Sequence, residues 1–197
     1  MTVRSIREVS SSKVLVTMEE DLSFPVYKKE LKTYHLQEGE EVPAALWKEL
    51  WEEVLPKRAR LRAMHLLEKT DRTEKSLRRK LTESGYTEDL LENAVEYVKS
   101  FHYIDDVRFA FHYMDARKET HHPRTLEAEL RERGVSSEDI RRAMDQVEFP
   151  DAREQISYWL AKKNYCSETA DEKEKQRMAG FLMRKGFASS DIYHELF

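Results

Sequence analysis

The sequence predicts a mostly α-helical chain: tandem three-helix repeats in an elongated, curved array, preceded by a small N-terminal β-hairpin or three-strand segment. Three observations predict it. A nine-residue frame recurs, with Leu77, Leu81 and Gly85 at offsets 0, 4 and 8, then Leu126, Leu130 and Gly134, then Met178, Leu182 and Gly186. Offsets 0 and 4 share one helix face, and a glycine four residues on suits a left-handed helix stop. Beyond each glycine a second apolar pair follows, Leu91 and Val95, Ile140 and Met144, or Ile192 and Leu196, which opens another helix with a buried face. Composition agrees, because 5 glycines and 5 prolines in 197 residues leave few breakers, and 37% of residues are charged. Copies roughly 50 residues apart describe small helical units in tandem, an architecture that makes extended binding surfaces.

Residues 1–55 read as a β-containing segment plus a helix. Val3 to Val9 and Lys13 to Met18 are β-branched runs flanking Ser10-Ser11-Ser12, the pattern of a hairpin. Leu22 to Tyr27 adds a third strand, which Pro25 confines to an edge. Lys28 to His35 reads as a short helix before a turn at Glu38-Gly39-Glu40. Three strands bury little alone, so this piece leans on the next helix, which starts at Pro43 and presents Leu46, Trp47, Leu50, Trp51 and Val54. Pro56 then punctuates the chain.

Repeat 1 occupies 56–104, with helices over about 57–69, 74–84 and 88–101. Repeat 2 occupies 105–150. Asp105 caps its first helix, the second begins at Pro123 and ends before Gly134, and Ser136 to Asp139 resembles a capping box with Asp in place of Glu. Repeat 3 occupies 151–197, with a polar insertion from Lys162 to Glu172 before the helix that carries Met178, Phe181 and Leu182.

A single cysteine, Cys166, supplies no disulfide framework. No apolar run approaches the length of a membrane span, and Met1 to Val9 has no signal-peptide core, so a soluble cytoplasmic protein is expected. The net charge of −4 is uneven: residues 1–56 carry 7 basic and 11 acidic side chains, 57–80 carry 10 and 3, 81–151 carry 9 and 17, and 152–197 carry 8 and 7. A generic nucleic-acid binder is basic overall, and here only the block from Lys57 to Lys80 has a phosphate-tracking composition.

No catalytic constellation emerges, and no cofactor or metal is expected. His102, His112, His121 and His122, near Asp105, Asp106 and Asp115, match no ligand spacing such as His-Glu-x-x-His and read as surface or loop histidines. Cys166 lacks a neighbouring base, and five glycines supply no phosphate-binding loop. Leu77 to Val98 passes for a helix-turn-helix, which makes a DNA-binding protein of that kind the alternative. Its second helix begins Thr87-Glu88-Asp89 and continues with Glu92 and Glu96, however, and phosphates repel those carboxylates. The repeats look built to meet protein.

Tyr103-Ile104-Asp105-Asp106-Val107-Arg108-Phe109-Ala110 and Pro123-Arg124-Thr125-Leu126-Glu127-Ala128-Glu129-Leu130-Arg131-Glu132-Arg133-Gly134-Val135 resemble the signature of the bacterial RecX regulators. Arg72 to Tyr86 is similar to that family's first repeat, and the first 55 residues are similar in style to the β segment of its longer members. The resemblance covers 57–150 well and 151–197 less well. It implies a non-enzymatic, monomeric modulator of the RecA recombinase in DNA repair, recombination and the SOS response. Such a protein would lie in the groove of the RecA–single-stranded-DNA filament and suppress its extension, ATPase, strand exchange and co-protease action. Weak, non-specific DNA contact is a further expectation. Two departures stand out: His121-His122 replaces a glycine usual before the second helix, and the chain is acidic where many relatives are basic. Arg78, Arg79, Lys80, Arg131 and Arg133 are the expected partner-contact residues. Tyr103, Phe109 and Leu130 are expected to support the core and interface, Gly134 to stop a helix, and Arg108 and Arg124 to pair with Asp105 or Asp106.

Overall fold

The computed structural model describes residues 1–197. Three antiparallel strands, β1 (Val3–Glu8), β2 (Lys13–Met18) and β3 (Ser23–Tyr27), pair in the order β1-β2-β3. Ile6 faces Val16 in one ladder and Val14 faces Val26 in the other, so one face collects Val3, Val14, Val16, Met18, Phe24 and Val26, all buried. Pro25 sits on β3, an edge strand, where its missing N–H breaks no ladder bond.

A short helix α1 (Glu30–Thr33) leads to α2 (Ala44–Glu49), with Pro43 as the residue before its first turn rather than within it. The chain then departs from expectation. A π-helical turn, Leu50–Val54, joins α2 directly to α3 (Leu55–Lys69), so Pro56 lies inside a continuous helical path. Proline lacks the N–H that would bond Glu52, and its ring crowds that carbonyl. A wider turn immediately upstream relieves both problems. Trp47 and Trp51, stacked at 5.4 Å, pack on Phe24 of the sheet.

Helices α4 (Glu74–Glu83) and α5 (Glu88–Ser100) complete the first three-helix module. Leu77, Leu81, Leu91, Val95 and Val98 share one hydrophobic cluster with the sheet and with Leu50, Leu55 and Ala59. Residues Met1–Asp105 thus form one compact unit.

The second unit, Asp106–Phe197, contains α6 (Asp106–Asp115), α7 (Pro123–Glu132), α8 (Ser137–Met144), α9 (Ala152–Lys162), α10 (Glu172–Arg184) and α11 (Ser189–Leu196). It has two separate cores. Ala110, Met114, Leu126, Leu130, Val135, Ile140 and Ala143 make one; Ile156, Trp159, Leu182, Phe187, Ile192 and Leu196 make the other. Gln155 and Trp159 of α9 tie the two modules together by holding the loop after α6. The Gln155 amide donates to the carbonyls of Lys118 and His121, and the Trp159 indole donates to Thr120 O at 2.8 Å. No helix is long and apolar enough to cross a membrane.

Helix starts follow local chemistry. Thr73, Ser136, Asp151 and Asp171 each accept a backbone N–H from three residues on. The full reciprocal box forms at Asp171 and Glu174, across the end of the stretch that reads from sequence as a polar insertion. At Ser136 the Asp139 carboxylate instead accepts the serine hydroxyl at 2.7 Å, because a side chain one methylene shorter than Glu falls short of the cap backbone.

Candidate interaction surface

The recurring frame is a helix stop repeated three times. Gly85, Gly134 and Gly186 have φ of +88°, +90° and +92°. The residue after each glycine, Tyr86, Val135 or Phe187, donates its N–H back to the carbonyl of Leu81, Leu130 or Leu182. Its side chain is buried beside that same leucine in each case. This is the Schellman arrangement, in which a left-handed residue lets the next N–H reach an orphan carbonyl and brings an apolar contact with it. Offset nine therefore belongs to the frame, although the sequence reading stops at offset eight. Each stop fixes the angle between a module's second and third helices, and so decides which side chains meet across their seam.

In the first module that seam is held by Arg78. Its guanidinium spans α4 and α5, donating to both Glu92 oxygens at 2.7 and 3.0 Å and to Glu74 at 2.8 Å, with Glu88 3.6 Å away. Arg78 is thereby committed inside the module, whereas Arg79 and Lys80 reach outward and share Glu83 at 3.7 and 2.6 Å. The Arg78 hydrogen bond holds the Glu92 carboxyl below the usual carboxylate range. Burial pushes Glu74 up, but its bonds to Lys99 and Arg78 prevail and lower it. Arg78→Ala is expected to cost about 1 kcal/mol at neutral pH, since a half-buried bidentate pair exceeds an exposed one. Both carboxyls sit below their ordinary value of 4.5, so the advantage is present above that pH and lost as pH falls through the folded values. Urea midpoints of wild type and variant should differ at neutral pH and converge as pH falls below the folded values of the two carboxyls.

In the second module Tyr113 gathers the charges. Arg117 lies over its ring at 4.0 Å and Arg133 at 4.8 Å, while its hydroxyl donates to Glu129 at 2.6 Å. Burial, then that bond to Glu129, raises the phenol's pKa. Arg131 pairs with Glu127 one turn away and remains half exposed.

His121 and His122 are structural. The His121 Nδ1 bonds the Thr120 hydroxyl at 2.8 Å. The His122 Nδ1 caps α7 by accepting the Arg124 N–H, and its ring meets Phe187 edge-on at 5.7 Å. Burial, followed by the Arg124 charge, lowers the His122 pKa below 6.5, and His121 is lowered by burial and by Lys185. The unfolded chain therefore takes up these protons first, so stability is full above 6.5 and declines as pH drops through the folded values. Asparagine caps helices without titrating, so His122→Asn should flatten the decline in thermal midpoint between about pH 7.5 and 5.5.

The other signature positions divide. Leu130 is fully buried and Phe109 stacks on Tyr113 at 6.2 Å against the same core. Tyr103 is not a core residue. It is 47% exposed, stacked on Phe101 at 5.7 Å, because His102 adopts a left-handed φ of 54° and turns the chain outward after α5. Asp105 immediately precedes α6 and Asp106 is its first residue. Arg124 lies exposed on the first turn of α7.

The basic block does not form one face. Arg60 bonds Asn93 and covers Tyr97, and Arg72 bonds the Leu66 carbonyl. Lys57, Arg58, Arg62 and His65 instead line a groove of about 710 Å³ with Lys13, Tyr27 and Tyr86. Arg58 is tied there to Glu30 at 2.6 Å.

Separate cores, one repeated turn and side chains committed to holding helices together define a protein of tandem three-helix modules that presents surfaces. Family models described as RecX first and third three-helix domains match residues 59–97 and 151–196. A regulatory protein RecX from Clostridium perfringens (strain SM101 / Type A) is 28% identical, over 95% of this chain and 90% of the relative. Another from Caldanaerobacter subterraneus subsp. tengcongensis is 25% identical, over 98% and 96%. A crystal structure of regulatory protein RecX, 21% identical, shares the fold with a TM-score of 0.62 over 99% of this chain and 98% of that one. The chain belongs to the RecX family of regulatory proteins.

Proposed function

We propose that the chain is a non-enzymatic, cytoplasmic regulator that binds the RecA–single-stranded-DNA filament and inhibits its extension, ATPase, strand exchange and co-protease activity. The observation that carries this reading is the independent core of the modules, set in a family whose members are named regulatory proteins. We assign 56–104, 105–150 and 151–197 as modules, with 1–55 fused to the first. Several linked modules can touch successive subunits of a polymer, and modest contacts then add through effective concentration. Arg79, Lys80, Arg131 and Arg133 are the outward contacts toward RecA, with Arg78 holding the α4–α5 seam that presents the first two. The Lys57–Arg62 groove supplies weak, salt-sensitive DNA contact.

The test is DNA-dependent ATP hydrolysis by RecA. Near-stoichiometric or lower amounts of the protein should reduce the rate at least severalfold. An unchanged rate, with filaments intact by microscopy, removes the proposal.

A further inference from the structure

The groove between the sheet and α3 contains a polar group that folding leaves unused. Tyr86 follows the Gly85 helix stop, at the position that Val135 and Phe187 fill in the other modules. All three side chains are buried, so the stop asks only for an apolar body there. Tyrosine adds a hydroxyl. Tyr86 is 6% exposed, lines the groove, and makes no hydrogen bond from that hydroxyl to any protein group. Burial pushes the phenol up to about 12, against the opposing pull of Arg58 and Arg62, so it stays a neutral donor. A buried donor without an acceptor costs stability, which points to an acceptor from outside the protein. The walls supply the matching charge. Arg58 and Arg62 sit one turn apart on α3, Lys57 stands on the rim, and Lys13 comes from β2. Arg58 is held by Glu30 at 2.6 Å, whereas Lys13, Lys57 and Arg62 stand outside the protein's ion pairs. Glu53 is the single acid among the lining residues.

We propose that this groove is a phosphodiester site specific for single-stranded DNA, with Tyr86 as its uncharged donor; the inference deepens, and rests on, the DNA contact proposed above. Donors converging from β2, α3 and the floor suit a tetrahedral phosphate, whereas a planar carboxylate takes its bonds close to one plane. A duplex is stiff and carries its phosphates on a convex surface with paired bases behind them. It can rest on the rim cations but cannot reach a hydroxyl buried at the floor. A single strand can turn a phosphate inward. No base is read, because Lys13 and Arg58 already lie over the Tyr27 ring at 5.1 and 5.0 Å and leave no open aromatic face for stacking. The site follows backbone and ignores sequence.

The experiment measures fluorescence anisotropy of a labelled oligothymidylate without terminal phosphates, and of a blunt duplex of equal length, against the whole chain. Wild type should bind the single strand at least about fivefold more tightly than the duplex, since only the former gains the floor hydrogen bond. Tyr86→Phe should weaken single-strand binding about tenfold at fixed salt, the size of one lost bond to a charged group, without changing the salt dependence. Lys13→Ala should instead flatten the slope of log affinity against log salt by about 0.7, one phosphate contact on a single strand. Lys173→Ala, which removes a charge outside the groove, should do neither. Phenylalanine is the third module's own residue at this position, so Tyr86→Phe should keep its thermal midpoint. Equal affinity of wild type and Tyr86→Phe, an unchanged slope for Lys13→Ala, or a duplex bound as tightly as the single strand overturns the site. So does a requirement for a terminal phosphate, or displacement of the strand by polyglutamate of equal charge. If wild type binds neither DNA, the DNA contact proposed above fails with it, independently of RecA inhibition.

Discussion

Leu130→Ala is expected to lower stability by about 3 kcal/mol, the central cost of emptying a leucine-sized site in a close-packed core. Leu130 is fully buried among Met114, Leu126 and Ile140, and its carbonyl accepts the Val135 N–H that closes the α7–α8 turn. The equivalent leucines, Leu81 and Leu182, are also fully buried and should show the same cost. Leu61, which is 57% exposed on α3, should cost under about 0.5 kcal/mol. Because the cores of the first and second modules are separate, the loss should be local first. Amide exchange in α8 should speed up while α5 keeps its protection. A cost below about 1 kcal/mol at Leu130 in urea unfolding contradicts the repeat assignment.

Gly186→Ala is expected to cost about 2–3 kcal/mol. A left-handed residue with a Cβ costs about 1–2 kcal/mol, and a lost half-buried hydroxyl bond about 1 more. The second term arises because a Cβ at Gly186 would collide with the Thr125 hydroxyl oxygen, which donates to the Lys185 carbonyl at 2.8 Å. His122 Cβ closes the other side at 3.4 Å. Gly85 has the same backbone but meets only Leu15 Cδ1 at 2.7 Å, the far end of a flexible side chain. Gly85→Ala should therefore cost roughly the backbone part, about 1–2 kcal/mol. Equal losses at the two glycines by thermal unfolding would show that the contact with the second module carries no weight.

The frame that organises the fold is legible because its signals act within one or two helical turns. Leu126 and Leu130 share a face, Gly134 takes a conformation that disfavours a Cβ, and Pro25 can only sit at an edge. What the sequence hides depends on partners chosen across elements. Arg78 reads as a surface charge until α5 brings Glu92 to 2.7 Å. Tyr103 reads as core until the left-handed His102, with a side chain seldom found in that conformation, turns it outward. Pro56 reads as a break because a π turn that accommodates it leaves no compositional mark.

Helical reconstruction of RecA–single-stranded-DNA filaments saturated with the protein tests the account most directly. Added density following the filament and touching at least two neighbouring RecA subunits, each through a different three-helix module, is the expected result. Filaments indistinguishable from bare ones at saturation, or density confined to a single subunit through a single module, would contradict it.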